Sequence, residues 1–389
     1  MRPFQIQIPQ QQIDLLHSKI DDTIWPAESW QAANDWSYGT PEAYLRELVD
    51  YWRHSFDWRA AEARLNAYPQ FMSEIDGLES HFIHARSSHE NARPLLLVHG
   101  WPGSVVEFLD AIPRLTQPEK FGGNAADAFH VVCPSLPGYG YSQTIQKPGM
   151  DPKRIAALHA RLMSALGYEK FVAQGGDWGA ICCRFLADIA PERLTGLHLN
   201  LSLPMPPTGL EDAEKYLTEA ERAFVANWPD LNWDISGYSH EQATKPQTVA
   251  YGLSDSPVAL AGWIAEKFHG WTDNGGDLRD AVNWDDLLTN ISIYWFTGSI
   301  GSAVRLYKEF TVTMNAPLPL SPRCEVPTGM ARYPKEIWLQ PRSWSEMEYN
   351  IVHWYEPPKG GHFAAMEQPE IFANDLLAFN RRLADLPAR

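Results

Sequence analysis

The spacing of apolar residues changes along the chain and divides it into segments. At the start, "PFQIQI" alternates and puts Phe4, Ile6 and Ile8 on one side, as in a short strand or arm. Ile13, Leu16 and Ile20 then mark one helical face. "YGTPEAYLRELVDYWRHSF" predicts a firmer helix. Thr40 can cap it, Pro41 fits its first turn, and Tyr44, Leu45, Leu48, Val49 and Trp52 form its apolar stripe. Residues 1–90 therefore read as an N-terminal helical meander packed on the main domain. Between about 65 and 200 the pattern becomes βαβ. "SHFIHAR" and "PLLLVHG" read as strands, the second near-continuously apolar, as buried parallel strands are. "VVEFLDAIPRL" reads as a helix, "FHVVCPSLPGYGYS" as a strand breaking into a loop, and "DPKRIAALHARLMSALG" as an amphipathic helix ended by Gly167. "LTGLHLNL" is another strand. From 202 to 320 the alternation stops, and aromatic-rich helical segments follow "LPMPP". After "NAPLPLSP" the sheet resumes with "VPTGMARYP" and "NIVHWYEP", and "PEIFANDLLAFNRRLA" is the last helix. The pattern predicts an α/β core in two parts, 91–201 and 321–389, with a helical cap inserted at 202–320.

One turn in that core carries candidate chemistry. In "KFVAQGGDWGAICCRFLA" a short apolar strand runs into Gly175, Gly176, Asp177, Trp178 and Gly179, and then into a helical pattern. This is the small-x-nucleophile-x-small form of the strand-to-helix elbow of α/β-hydrolases, with Asp177 at its centre. A base belongs after the last strand, and "KGGHFAAMEQPE" places His362 there. Chain order then calls for a carboxylate between the cap and His362. Glu336 lies in that window, with Glu346, Glu348 and Glu356 as rivals. The loop "HGWPGS" directly follows a buried strand and occupies the place of an oxyanion-hole loop. The donors there would be the backbone N–H groups of Trp101 and Trp178. His99 reads as a histidine bracing that loop.

An aspartate at the elbow changes the reaction. Against a carbonyl it would form only an anhydride. At a saturated carbon it displaces a leaving group and becomes an alkyl ester, which a base and water can hydrolyse. The substrate is then an epoxide or a haloalkane. Halide needs N–H donors such as an indole, and Trp178 adjoins Asp177. An epoxide oxygen leaves as a far more basic alkoxide and needs an acid that stays protonated. Tyrosine, with pKa about 10, suits this role.

Composition narrows the setting. The net charge of −16 argues against general electrostatic binding of nucleic acid or anionic membrane. Cys133, Cys182, Cys183 and Cys324 have no metal-ligand spacing and read as core residues in a reducing compartment. No metal or other cofactor is expected. "MRPFQIQIPQ" lacks the apolar run of a signal peptide, and no apolar stretch approaches the ~20 residues of a membrane span. A cytoplasmic location is expected.

The chain resembles the microsomal-type branch of the epoxide hydrolases, a group with the α/β-hydrolase fold and an extra N-terminal segment. The resemblance runs through "PFQIQIPQQQIDLLHSKI", "YLRELVDYWRHSFDWRAAEARLN", "HGWPGS", "GGDWGA", "ATKPQTVAYGLSDSPVALAGWI", "YWFTGSIGSAVRLYKE" and "GGHFAAMEQPE". It implies Asp177 as nucleophile, His362 as base and Glu336 as its acid. It further implies Tyr238 and Tyr307 as the tyrosines that polarise the epoxide. Spacing alone does not choose them, because Tyr251 and Tyr294 are near. The chain starts at the arm, so no membrane anchor is expected, and the resemblance raises the prospect of a homodimer. The substrate would be a small apolar epoxide, with water as co-substrate. Trp263, Phe268, Trp271, Trp295 and Phe296 are the candidate pocket aromatics. The alternatives are a haloalkane dehalogenase and a non-catalytic binding protein on the same fold.

Overall fold

The computed structural model describes residues 1–27, 35–202, 212–314 and 323–386. Its strands are β1 (Arg2–Phe4), β2 (Gln70–Ile75), β3 (Leu78–Ala85), β4 (Arg93–Val98), β5 (Phe129–Pro134), β6 (Phe171–Gly175), β7 (Leu194–Leu199), β8 (Cys324–Ala331) and β9 (Tyr349–Tyr355). They form one sheet in the order β1-β2-β3-β5-β4-β6-β7-β8-β9. From β5 to β9 neighbouring strands are parallel, and β1, β2 and β3 extend that edge antiparallel. The crossover to β4 in the centre leaves β4, β6 and β7 covered on both faces. This is why "PLLLVHG" reads as continuously apolar: Leu95 and Leu97 enter the core on one face, Leu96 and Val98 on the other.

The register aligns the strand ends. Val98 pairs with Gly175, Gly175 with Leu199, Leu199 with Met330, and Ala331 with Tyr355. The loops after β4, β6, β8 and β9 therefore leave one end of the sheet together. Sites in open α/β sheets form at the carboxyl ends of strands.

The cap is helical, with main helices Glu219–Ile235, Gly237–Thr244, Pro246–Asp255, Pro257–Trp271, Trp284–Thr297 and Arg305–Met314. "LPMPP" and "NAPLPLSP", expected at its borders, lie outside the described residues. The N-terminal segment is bound to it. The Trp52 indole donates to Ser292 Oγ at 3.1 Å, and Trp36 stacks on His269 at 3.8 Å.

Three details differ from the sequence expectation. The N-terminal meander holds a strand that the pattern does not predict, β2, which with the expected β3 and the arm joins it to the sheet; of the alternating arm only Arg2–Phe4 pairs as strand. Thr40 does not cap the helix Glu42–His54; its hydroxyl donates to the Gly262 carbonyl of the cap at 2.8 Å. "VVEFLDAIPRL" breaks into a 3₁₀ turn, Val105–Phe108, and a short helix, Ile112–Thr116, with Pro113 in its first turn.

Across β8, a buried histidine and a half-buried one meet one carboxylate. Asp375, on the last helix (Pro369–Ala384), lies 2.9 Å from His198 Nε2 of β7 and 2.6 Å from His353 Nε2 of β9. Gly329 of β8 gives them room, since a Cβ there would lie 2.9 Å from the His198 ring. Asp375→Ala leaves both imidazoles without their partner. It should lower unfolding stability by about 2–5 kcal/mol in urea titrations. A loss under about 0.5 kcal/mol, the range of an ordinary surface substitution, would show that this contact does not hold the sheet to the helix.

Candidate active site

β6 ends at Gly175 and the next helix begins at Asp177, so the chain must turn within Gly176. Asp177 takes up the strain with φ 47°, a left-handed conformation that L-residues avoid. The turn closes only because its neighbours are small. A Cβ on Gly175 would lie 2.3 Å from the Gly179 backbone, and one on Gly179 would lie 2.0 Å from the Val98 carbonyl oxygen. The result aims the Asp177 carboxylate out of the sheet, across Gly100. A Cβ on Gly100 would lie 2.3 Å from Asp177 Oδ1.

The Trp101 N–H donates to Asp177 Oδ1 at 2.7 Å. Among the described residues, the N–H of Trp178 makes no hydrogen bond to that carboxylate; its indole ring packs edge-on against Tyr307, with centroids 4.7 Å apart. His99 braces the loop as expected. Its Nδ1–H donates to the Gly100 carbonyl at 2.9 Å, and its Nε2 accepts from the Leu136 N–H at 3.1 Å. Burial holds its pKa down to about 4, so it is neutral at pH 7. The cap helix Trp284–Thr297 clamps the same loop. Asn290 Nδ2 donates to the Pro102 carbonyl and the Tyr294 hydroxyl to the Gly103 carbonyl, each at 2.7 Å.

His362 stands between two carboxylates. Its Nε2 is 3.5 Å from Asp177 Oδ2 and its Nδ1 is 2.6 Å from Glu336 Oε1. Glu336 also accepts the Ile337 N–H at 2.7 Å. Burial opposes a charge on His362, but the negative charges of Glu336 and Asp177 outweigh it and hold its pKa well above the ordinary value. The rival acids lie elsewhere. Glu346 pairs with Arg342, Glu356 accepts from the Trp354 indole, and Glu348 is half-buried near Arg184.

Tyr238 and Tyr307 come together over this group. Their rings are 5.7 Å apart, and Tyr238 stacks on Trp101 at 5.0 Å. Burial, and the charge of Asp177 among smaller causes, raise the pKa of both phenols, so both stay protonated at neutral pH. Tyr251 is 69% exposed, and Tyr294 is bound to the loop. Of the proposed pocket aromatics, Trp271 belongs to the site, edge-on to His362 at 5.0 Å and 5.2 Å from Tyr238. Phe268 stacks behind on Phe363 at 3.9 Å. Trp263 is held outside by Gln242, to which its indole donates at 3.1 Å, and it lines a groove with Trp25 and Leu45 of the N-terminal segment. Phe296 packs on Trp58 at 4.7 Å, and Trp295, half-buried on the same helix, has no ring contact with a catalytic candidate among the described residues. These last three do not meet Asp177 because their helix faces turn toward other elements.

The chain matches the family model described as epoxide hydrolase N terminus over residues 1–108, and that of the alpha/beta hydrolase fold over 93–232. It is 46% identical to a protein of Stigmatella aurantiaca over 98% of this chain and 85% of that one. It is 39% identical to epoxide hydrolase 1 of Oryctolagus cuniculus, over 97% and 88% of the two chains. The chain belongs to the epoxide hydrolases. The solved epoxide hydrolase of Aspergillus niger superposes on it with a TM-score of 0.87, covering 98% of this chain and 96% of that one at 33% identity. Among the described residues of this epoxide hydrolase, no helix is long and apolar enough to cross a membrane.

One residue that sequence reasoning passed over anchors the loop of His362. Glu367 accepts from the N–H groups of Asp273 at 2.8 Å, Gly361 at 3.0 Å and Phe363 at 3.0 Å. The His362 N–H donates to the Trp271 carbonyl at 2.8 Å. Cap and base loop are thus bound together. Nothing in "FAAMEQPE" marks Glu367 apart from its place five residues after His362.

Gly100→Ala tests the seat of the carboxylate. The added methyl would displace Asp177 Oδ1, and turnover of an epoxide such as styrene oxide should fall by about 10²-fold or more, as for a reacting group moved by an ångström. Turnover equal to that of the parent enzyme, in a folded variant, would show that Asp177 does not work from this position.

Proposed function

We propose that this epoxide hydrolase works through a covalent ester on Asp177. The reading rests on one observation: a carboxylate at the elbow faces a histidine, and two protonated phenols pack on Trp101, whose backbone N–H holds that carboxylate. Asp177 attacks a ring carbon, an Asp177 O–C bond forms and the epoxide C–O bond breaks. Tyr238 and Tyr307 bind the ring oxygen, and one of them gives its proton to the departing alkoxide.

Esterification removes the charge of Asp177. One of the two charges that hold the proton on His362 is then gone, and that proton can pass to the tyrosinate. Neutral His362 next takes a proton from water, whose oxygen adds to Cγ of Asp177. The oxyanion that forms is met by the Trp101 N–H, and a donor of this kind is typically worth about 10²–10³ in rate. The Trp178 N–H supplies a second donor if the turn adjusts as the charge develops. When the ester collapses, the departing alkoxide takes the proton of the new carboxylic acid. Asp177 is again a carboxylate and His362 again protonated. The sum is epoxide plus water to vicinal diol. Four buried, unpaired cysteines fit work in a reducing compartment such as the cytoplasm.

His362→Gln divides the cycle. It should still be alkylated, gaining the mass of one substrate on the peptide that contains Asp177, and then stall. In the same background, Tyr238→Phe with Tyr307→Phe should slow adduct formation by at least about 10²-fold, the ordinary contribution of general-acid catalysis. Ordinary turnover by His362→Gln, with no adduct, would reject His362 as the base; equal alkylation with and without the phenols would reject the tyrosines.

A further inference from the structure

One acid beside the nucleophile has no part in these steps. Glu107 lies in the 3₁₀ turn that follows the "HGWPGS" loop. Its Oε1 is shielded from solvent and has no hydrogen-bond partner. The carboxyl packs over Gly103, where a Cβ would lie 1.6 Å from Oε1. Burial pushes its pKa up to about 8, against the pull of His362 and of the Gly100 and Ser104 backbone and with the push of Asp177. At pH 7 the group is therefore mostly neutral.

A second unpartnered oxygen lies on a residue that lines a cavity with Glu107. Gln174, three residues before Asp177 on β6, is 1% exposed. Its Nε2 donates to Asn200 Oδ1 at 3.1 Å, while its Oε1 has no partner. Glu107, Gln174 and Asn200 share a cavity of about 10 Å³ with Gly100, Asp177 and His362. That is about the room that the centre of one water needs, and the walls offer the polar partners a buried water requires. Neither Tyr238 nor Tyr307 lines it. The cavity is thus apart from the place where the epoxide oxygen is met.

We propose that Glu107 and Gln174 seat the hydrolytic water in this cavity, and so serve breakdown of the ester but not its formation. This rests on the covalent reading above. One water hydrogen points to His362 Nε2 and is transferred to it. The other is accepted by Glu107 Oε1 or Gln174 Oε1. A lone pair then faces Cγ of Asp177, and the new bond is O–Cγ. Both residues are positioning residues: they act through the water. Glu107→Gln keeps a neutral acceptor, whereas Glu107→Leu removes it.

Rapid-quench mass spectrometry with styrene oxide tests this. Glu107→Leu should be alkylated at a rate near that of the parent enzyme. Its ester should break down about tenfold to hundredfold more slowly, as for the loss of one buried hydrogen bond, so that adduct accumulates during turnover. Glu107→Gln should restore breakdown. Gln174→Met, on a different element, should show the same selective defect and decides the matter if Glu107→Leu does not fold. Breakdown at the parent rate, or equal slowing of alkylation and breakdown without rescue by Gln, would overturn the water seat. His362→Gln is run beside them. If it forms an adduct while Glu107→Leu and Gln174→Met accumulate none, the water seat alone fails; if it forms none, the covalent reading fails and takes the seat with it.

Discussion

The left-handed backbone of Asp177 is the constraint on which the site depends. A side chain at φ 47° is costly, about 1–3 kcal/mol for such a residue. It persists because β6 and the helix Asp177–Ile189 are buried and cannot both relax. Glycines at 175 and 179 let the helix start against β4, and glycine at 100 lets the carboxylate lie across the loop. Packing has thus placed a charged group at the sheet end. There it meets the Trp101 N–H without waiting for a substrate to organise it. The same strand ends bring in the loops of Glu336 and His362.

Electrostatics then divides the labour. His362 lies between two carboxylates, one of which the proposed mechanism consumes. On that proposal the base is charged when a nucleophile is needed and can become neutral when water must be activated. The phenols follow the opposite logic. Burial and the Asp177 charge hold their protons in place, and the proposal has them released only to a more basic alkoxide. In the proposed cycle, loss of the carboxylate charge on esterification would ease the phenol toward giving its proton up, so that one change of charge at Asp177 would serve both halves.

Much of this was legible in the chain. Glycines around an aspartate between an apolar strand and a helical pattern admit few other structures, and His362 has its place after the last strand. The acid was harder. Glu336, Glu346, Glu348 and Glu356 share one window, and only the fold, by turning β8 toward β9, separates them. The phenols had no local signal, because Tyr238, Tyr251, Tyr294 and Tyr307 all sit in helical patterns; family resemblance singled out two. Exposure removes Tyr251 and a loop carbonyl occupies Tyr294. The cap aromatics show the same limit. Trp271 and Phe296 have similar surroundings in sequence, yet one faces His362 and the other Trp58. Glu107 was hidden in an apolar run that read as a plain helix. Of the N-terminal strands, β2 alone escapes the pattern, although it forms a hairpin with β3, which does not.

The central claim is that Asp177 bonds to the substrate, and the source of the diol oxygen tests it most directly. With enzyme in excess over epoxide, in water enriched in heavy oxygen, a single turnover should give diol almost free of label. The first oxygen delivered comes from the carboxylate, and the label should be found in the peptide that contains Asp177. Fully labelled diol with an unlabelled peptide would contradict the account, and would leave Asp177 as a base that directs water onto the epoxide.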